Sequence, residues 1–148
     1  MIKIKITILI IMLGLSGSTF AQEWHTGLEN AKKLAAAQDK NIILVFSGSD
    51  WCAPCIKLEK NIWQSETFKA EAARQWIMVK ADFPKKKGNL QNSELKAANA
   101  VLSEKYNKEG AFPLVVVLDK NGKVLGKAGF KNTSPEEYIK LLHSFDNR

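Results

Sequence analysis

The run Trp51-Cys52-Ala53-Pro54-Cys55 follows an apolar, strand-like stretch and leads into a helix-like one. Two cysteines at that spacing are equipped for thiol–disulfide exchange. With two residues between them, one sulfur can start a helix while the other sits one turn in, so both reach bonding distance with little backbone movement. The nucleophile is the thiolate, and a free cysteine with a pKa of about 8.5 is mostly protonated at neutral pH. Position corrects this, because unpaired N–H groups and the positive end of the helix dipole favour the anion. Cys-X-X-Cys thiols in such a setting fall to roughly 3.5–7.5. Pro54 suits an early helical position, which loses nothing by lacking an N–H and gains a preset φ. Cys52 is therefore the expected attacking thiol. Cys55, a turn deeper, is the expected resolving thiol that closes the disulfide and frees the product.

The N-terminus reads as an address. Lys3 and Lys5, the apolar stretch from Ile6 to Leu15 and the small residues around Thr19-Phe20-Ala21 predict a signal peptide over residues 1–21, cleaved before Gln22. An apolar run of about ten residues falls short of the roughly 20 that span a bilayer, which leaves an uncleaved anchor as the lesser alternative. No cysteine lies near the cleavage site, which argues against a lipid anchor. The mature chain is then periplasmic or secreted. In an oxidising compartment a cysteine pair is usually a structural staple. A staple closing so short a loop constrains the unfolded chain very little, however, and a catalytic pair is the better account.

What remains, residues 22–148, is one domain's worth of chain, enough for an ordinary core. The whole sequence carries a formal charge of +7 at pH 7, with its lysines spread out. The one run, Lys85-Lys86-Lys87, precedes Gly88 and Asn89 and has no interleaved Arg or aromatic residue. It reads as a solvated loop, not as a nucleic-acid or membrane patch.

Periodicity places the other elements. Residues 29–40 read as an amphipathic helix stopped by Asn41, with Trp24 and Leu28 leading in. Ile42 to Phe46 has the continuous apolar pattern of a strand buried on both faces. Beyond the cysteines, helical spacing runs through Ile56, Leu58, Ile62 and Trp63, then through a short segment at Ser65, Phe68 and Ala72. Trp76 to Asp82 returns to strand, and Phe83 to Asn92 reads as an exposed loop. Ser93 caps a helix reaching Tyr106. Leu114 to Leu118 and Lys123 to Phe130 form a hairpin around Asp119-Lys120-Asn121-Gly122. Ser134 and Pro135 open the last helix. The alternation predicts an α/β fold with a central mixed sheet of four or five strands, helices on both faces, a closing β-hairpin and a C-terminal helix. The cysteines then lie outside the carboxyl end of a buried strand.

Trp-Cys-x-Pro-Cys after a buried strand, Phe112-Pro113 before another, and Gly129 after the hairpin together resemble the thioredoxin-fold family over nearly all of the mature chain. That resemblance implies a cis-proline at Pro113, opposite the redox pair. It also implies docking of an extended substrate segment on the backbone of Phe112. Trp51 is read as a shield for the disulfide and a rim for substrate, or as a plug for the end of the sheet. Ser49-Asp50-Trp51-Cys52 with Lys57 and Glu59 is similar to secreted thioredoxin-like proteins and to the C-terminal periplasmic domain of the bacterial transmembrane thiol reductases. That domain has an acid four residues after its second cysteine, where Glu59 stands here. On a helix those two positions share a face, so Glu59 is a candidate catalytic acceptor of the Cys55 proton. The alternative is an exposed glutamate pairing with Lys57 or Lys60. The family often buries an aspartate six residues before the first cysteine, whereas this chain has Phe46. Ala53 replaces the glycine of thioredoxin itself, and Phe83 to Asn92 is an insertion that could serve partner choice.

The leading expectation is an exported thiol–disulfide oxidoreductase working as a monomer. It would reduce protein disulfides and draw electrons from a membrane thiol-transfer protein, with no cofactor. An oxidase or isomerase uses the same disulfide in the opposite sense, and a non-catalytic binding or chaperone module on the same fold is a further alternative. Metal capture is disfavoured, because zinc wants more ligands than the pair supplies and His25 and His143 lie far off in sequence.

Overall fold

The computed structural model describes residues 21–146; the expected signal peptide, up to Phe20, lies outside them. Five strands form one sheet: β1 (Trp24–His25), β2 (Asn41–Ser47), β3 (Trp76–Asp82), β4 (Leu114–Leu118) and β5 (Val124–Ala128). Their order is β1-β3-β2-β4-β5. β3 runs parallel to β1 and β2, whereas β4 is antiparallel to both β2 and β5. β2 is central, and all seven of its residues are buried. That is the physical reason its sequence shows no polar alternation.

Side chains leave a strand on alternate faces, and β2 thereby feeds two cores. Ile42, Leu44 and Phe46 join Ile77, Val79, Val116 and Leu118 beneath α1 (Leu28–Gln38) and α4 (Ser93–Tyr106). Ile43 and Val45 join Met78, Val115 and Val117 on the other face. Three helices cover that second face: α2 (Ala53–Leu58), running on into a π-type turn over Glu59–Trp63, then α3 (Glu66–Gln75) and α5 (Pro135–Ser144). Trp63 is the hub of this second core, packing edge-on against Tyr138 at 5.5 Å and tilted against Phe68 at 4.5 Å between centroids. Tyr138 is fully buried and its hydroxyl donates to the Gly129 carbonyl at 2.9 Å. Burial pushes its phenol pKa up, so it stays neutral and keeps donating.

Local departures from the sequence reading have local causes. Asp39 takes a left-handed conformation (φ 49°) at the end of α1, so the helix stops at Gln38 and Asn41 is already strand. Asn92, not Ser93, caps α4: its Oδ1 accepts from the Leu95 amide at 2.8 Å. β5 is shorter than Lys123 to Phe130. Trp24 is not merely a helix lead-in, since with His25 it pairs with Met78 and Val79 as β1. In the hairpin, Asp119 Oδ1 accepts from the amides of Asn121 and Lys123. Gly122 supplies the φ of 87° that an L side chain would resist.

Trp63→Ala should destabilise the protein by about 3–5 kcal/mol, the range for emptying a large aromatic site in a packed core. Urea denaturation followed by far-UV circular dichroism measures it.

Candidate functional site

The site begins where β2 ends. Ser47 accepts from the Phe83 amide at 2.8 Å, which ties the ends of β2 and β3 together. The chain then turns at Gly48, whose carbonyl accepts from the amides of Trp51 (3.3 Å) and Cys52 (2.9 Å). A Cβ at Gly48 would collide with the Trp51 indole, so the turn depends on glycine there. Cys52 is the N-cap of α2, in extended conformation, with Ala53 and Pro54 as the first helical residues. Its carbonyl accepts the first helical bond, from Ile56 at 3.0 Å.

Cys52 and Cys55 are joined as a disulfide with Cα atoms 5.2 Å apart, so the structure is that of the oxidised protein. The Cys52 sulfur accepts from the Cys55 amide at 3.3 Å, and the Cys55 sulfur from the Gly48 amide at 3.4 Å. Both donors would stabilise a thiolate more than a thiol. Cys52 is 5% exposed and Cys55 3%. The disulfide thus lies just under a surface formed by Trp51, which is 39% exposed, and Ile56, which is 47% exposed.

The peptide bond from Phe112 to Pro113 is cis, as the resemblance implied. Asn107, buried to 3% exposure, fixes the approach to it: its side chain donates to the Ala111 carbonyl and accepts from the Ala111 amide, each at 2.9 Å. The Phe112 ring packs edge-on against Trp51 at 5.4 Å and against Phe83 at 5.4 Å. Trp51, Phe112 and Pro113 therefore gather at one aromatic rim beside the cysteines. Trp24, Trp63 and Trp76 belong to packing.

Glu59 lies one turn past Cys55, and its amide donates to the Cys55 carbonyl. Its carboxylate pairs with neither Lys57 nor Lys60. It meets Lys80 of β3 at 2.8 Å and accepts from Gln64 at 2.7 Å. Lys80 stands opposite Val45 on β2 and also lies over the Trp24 ring at 4.3 Å. Phe46, where an acid is absent, is wholly enclosed in the first core. His143 packs against Trp76 and meets Glu71 at 2.7 Å, away from the cysteines in sequence and in partners. Among the described residues no group of three or more His, Cys, Asp or Glu is disposed to hold a metal ion.

Sequence reasoning missed the acids that brace the rim. Asp82 accepts from the Ser49 amide at 3.0 Å and from its hydroxyl at 2.5 Å. Asp50 accepts from the amides of Lys85 (2.9 Å) and Lys86 (3.0 Å) and from the Asn89 side chain (3.0 Å). The Trp51 indole N–H donates to the Phe83 carbonyl at 2.7 Å, and the Lys85 ammonium lies 3.9 Å from the Trp51 ring centroid. The stretch read as a plain exposed loop is thereby stitched to the turn before Cys52. It contains a short 3-10 turn at Lys87–Asn89. An Asp preceding a cysteine pair and a Lys/Asn/Gly-rich segment some 35 residues later give no local sign that they meet.

A family model described as thioredoxin-like matches residues 23–120. The disulfide bond reductase DsbH of Chlamydia pneumoniae is 37% identical over 123 residues, covering 83% of this chain and 70% of that protein. The solved structure of a DsbH oxidoreductase matches with a TM-score of 0.78 at 35% identity, covering 86% of this chain and 87% of its own. A thioredoxin from Thermus thermophilus matches at 15% identity with a TM-score of 0.63, over 86% of this chain and 88% of its own, a likeness of fold alone.

The hydrogen bond from the Lys85 amide, followed by that from the Asn89 side chain, holds the Asp50 carboxyl below its ordinary value. A depressed carboxyl stabilises the fold fully above the ordinary aspartate range and loses that contribution as pH falls through the lowered value. Asp50→Ala should release the segment already at neutral pH. Trypsin should then cut after Lys85, Lys86 or Lys87 several-fold faster than in the wild type, as read by mass spectrometry of the early fragments.

Proposed function

The chain belongs to the thioredoxin-like family and is a thiol–disulfide oxidoreductase; from that premise we propose that it reduces protein disulfides outside the cytoplasm, as a monomer. One observation carries the reading: a Cys52–Cys55 disulfide at the head of α2, one side chain deep, beside an aromatic rim that includes the residue before Pro113. The reductive direction is supported by the 37% identical relative named a disulfide bond reductase. Export is supported by the signal-like residues 1–21.

In the reduced protein, the Cys52 thiolate attacks one sulfur of a substrate disulfide. That S–S bond breaks as the Cys52–substrate bond forms, and the other substrate sulfur leaves as a thiolate that takes up a proton. Cys55 then gives up its proton and attacks the Cys52 sulfur, breaking the mixed disulfide and releasing the second substrate thiol. Two electrons have passed to the substrate, and the protein stands in its disulfide form. A dithiol donor must restore it by the same exchange in reverse, and outside the cytoplasm a membrane thiol-transfer protein suits that part.

Substrate backbone docks against Phe112 and Pro113, with Trp51 continuing the same rim towards Cys52. Because Phe46 leaves no buried acid on β2, Glu59 accepts the Cys55 proton, sharing its helix face one turn on. In the oxidised protein that carboxylate is held in an ion pair with Lys80 of β3.

Wild-type protein should accelerate dithiothreitol-driven insulin reduction, and Cys52→Ser should lose that acceleration entirely. Equal activity of the two would leave only a binding module. A reduction potential near about −270 mV fits the reductant, and one near about −120 mV would assign the protein to disulfide formation instead.

Glu59→Gln should slow single-turnover resolution of a Cys52 mixed disulfide at least about tenfold at pH 7, with water supplying part of the base's usual hundredfold or greater effect. The rate should recover as pH rises. Lys80→Met, which breaks the same ion pair but keeps the carboxylate, should stay near wild type. Equal losses in both variants would make the pair structural.

A further inference from the structure

We propose that the segment 83–89 is a recognition wall for protein disulfides flanked by acidic residues, and that Asp50 is the residue that positions it. The inference rests on the disulfide-exchange reading above and adds the class of substrate.

Three contacts make the segment part of the site. Its backbone is hung on Asp50 through the amides of Lys85 and Lys86, with the Asn89 side chain as a third anchor. Its first residue, Phe83, accepts from the Trp51 indole N–H and packs its ring on Phe112. Lys85 is set face-on over Trp51, the residue next to Cys52. The ring quadrupole attracts the ammonium without neutralising it, so a positive charge stands over the residue next to Cys52. Lys86 and Lys87 follow on the same segment, both exposed, and Lys57 is exposed on α2 two residues beyond Cys55.

The acids nearby are engaged. Asp50 accepts from three N–H donors. Asp82 is held by Ser49, and Glu59 is paired with Lys80. The donors to Asp50 and Asp82 are uncharged, so both acids keep a negative charge, while Lys57, Lys85, Lys86 and Lys87 outnumber them and leave the side of the wall net positive. A substrate segment extended across Trp51 and Phe112 brings the residues flanking its own cysteine against Lys85, Lys86 and Lys87. Screening over about 8 Å at physiological salt confines the effect to those immediate neighbours. The wall acts on docking alone and leaves the electron and proton balance of exchange unchanged.

The test uses two peptides of equal length, each closed by one disulfide, one with glutamates and one with lysines beside its cysteines. Each is reduced by the full mature protein with dithiothreitol, an uncharged donor, as electron source. The readout is the ratio of kcat/KM for the two peptides within each variant, which cancels any general loss of activity. Wild type should favour the acidic peptide about tenfold at low salt, the lower end of electrostatic steering, with the preference collapsing in 0.5 M salt. The preference should lie in KM. Lys85→Glu combined with Lys86→Glu and Lys87→Glu should reverse the ratio, and Asp50→Ala should bring it towards one. Equal rates for the two peptides in wild type, a ratio indifferent to salt, or a triple variant that still prefers the acidic peptide overturns the wall. An unchanged ratio in Asp50→Ala overturns the positioning role. Failure of the wild type on both peptides and on insulin would instead overturn disulfide reduction itself.

Discussion

A strand buried on both faces has no freedom to slide, and the placement of the cysteines derives from that restriction on β2. A slip of one residue would exchange Ile42, Leu44 and Phe46 with Ile43 and Val45 between two separately packed cores. With the strand pinned, its last residue has one location. Five residues on, after the Gly48 turn, Cys52 caps a helix whose own anchors, Leu58, Ile62 and Trp63, are all but inaccessible to solvent. The chemistry is set at the junction of two rigid elements, which is where a reactive group can be held steady without being enclosed.

Polar accounting at this junction divides by distance from the sulfurs. Closest in, among the described residues, the hydrogen bonds to them come from backbone amides, those of Gly48 and Cys55. Side-chain acids begin one layer out, each tied to a different element: Asp50 to the segment after β3, Asp82 to Ser49, Glu59 to Lys80. A carboxylate placed against the thiols would oppose ionisation of Cys52. Phe46 on the strand and amides at the helix start avoid that conflict, and Glu59 is the first carboxylate that follows Cys55 along its helix.

The cysteine spacing, the two apolar strands, the hairpin turn and the last helix were legible because each is written in a few consecutive residues. The mixed sheet with helices on both faces followed from their order. Pro113 was legible only through the family resemblance, since its sequence neighbours say nothing of a cis bond. What could not be read depends on partners far apart along the chain. β1 has only two residues and no periodicity of its own, and it exists because β3 offers Met78 and Val79 to pair with. Asn92 and Ser93 are both able caps, and backbone geometry chose between them. The carboxylate of Glu59 went to Lys80 because β3 passes beside the helix, a fact of topology that no helical spacing contains.

β1 also bears on how the sheet meets other chains that have unpaired strands. Such chains expose strands in search of an edge to join, and a sheet with long, regular borders invites them. Here one border ends in a strand of two residues. The other is β5, whose register with β4 is broken between Val117 and Leu118 and which carries Lys127 with its ammonium bonded to the Tyr106 carbonyl. Neither border offers a long, even template. The aromatic rim beside the cysteines is thereby left as a meeting surface for another chain that does not lead on to pairing along the sheet.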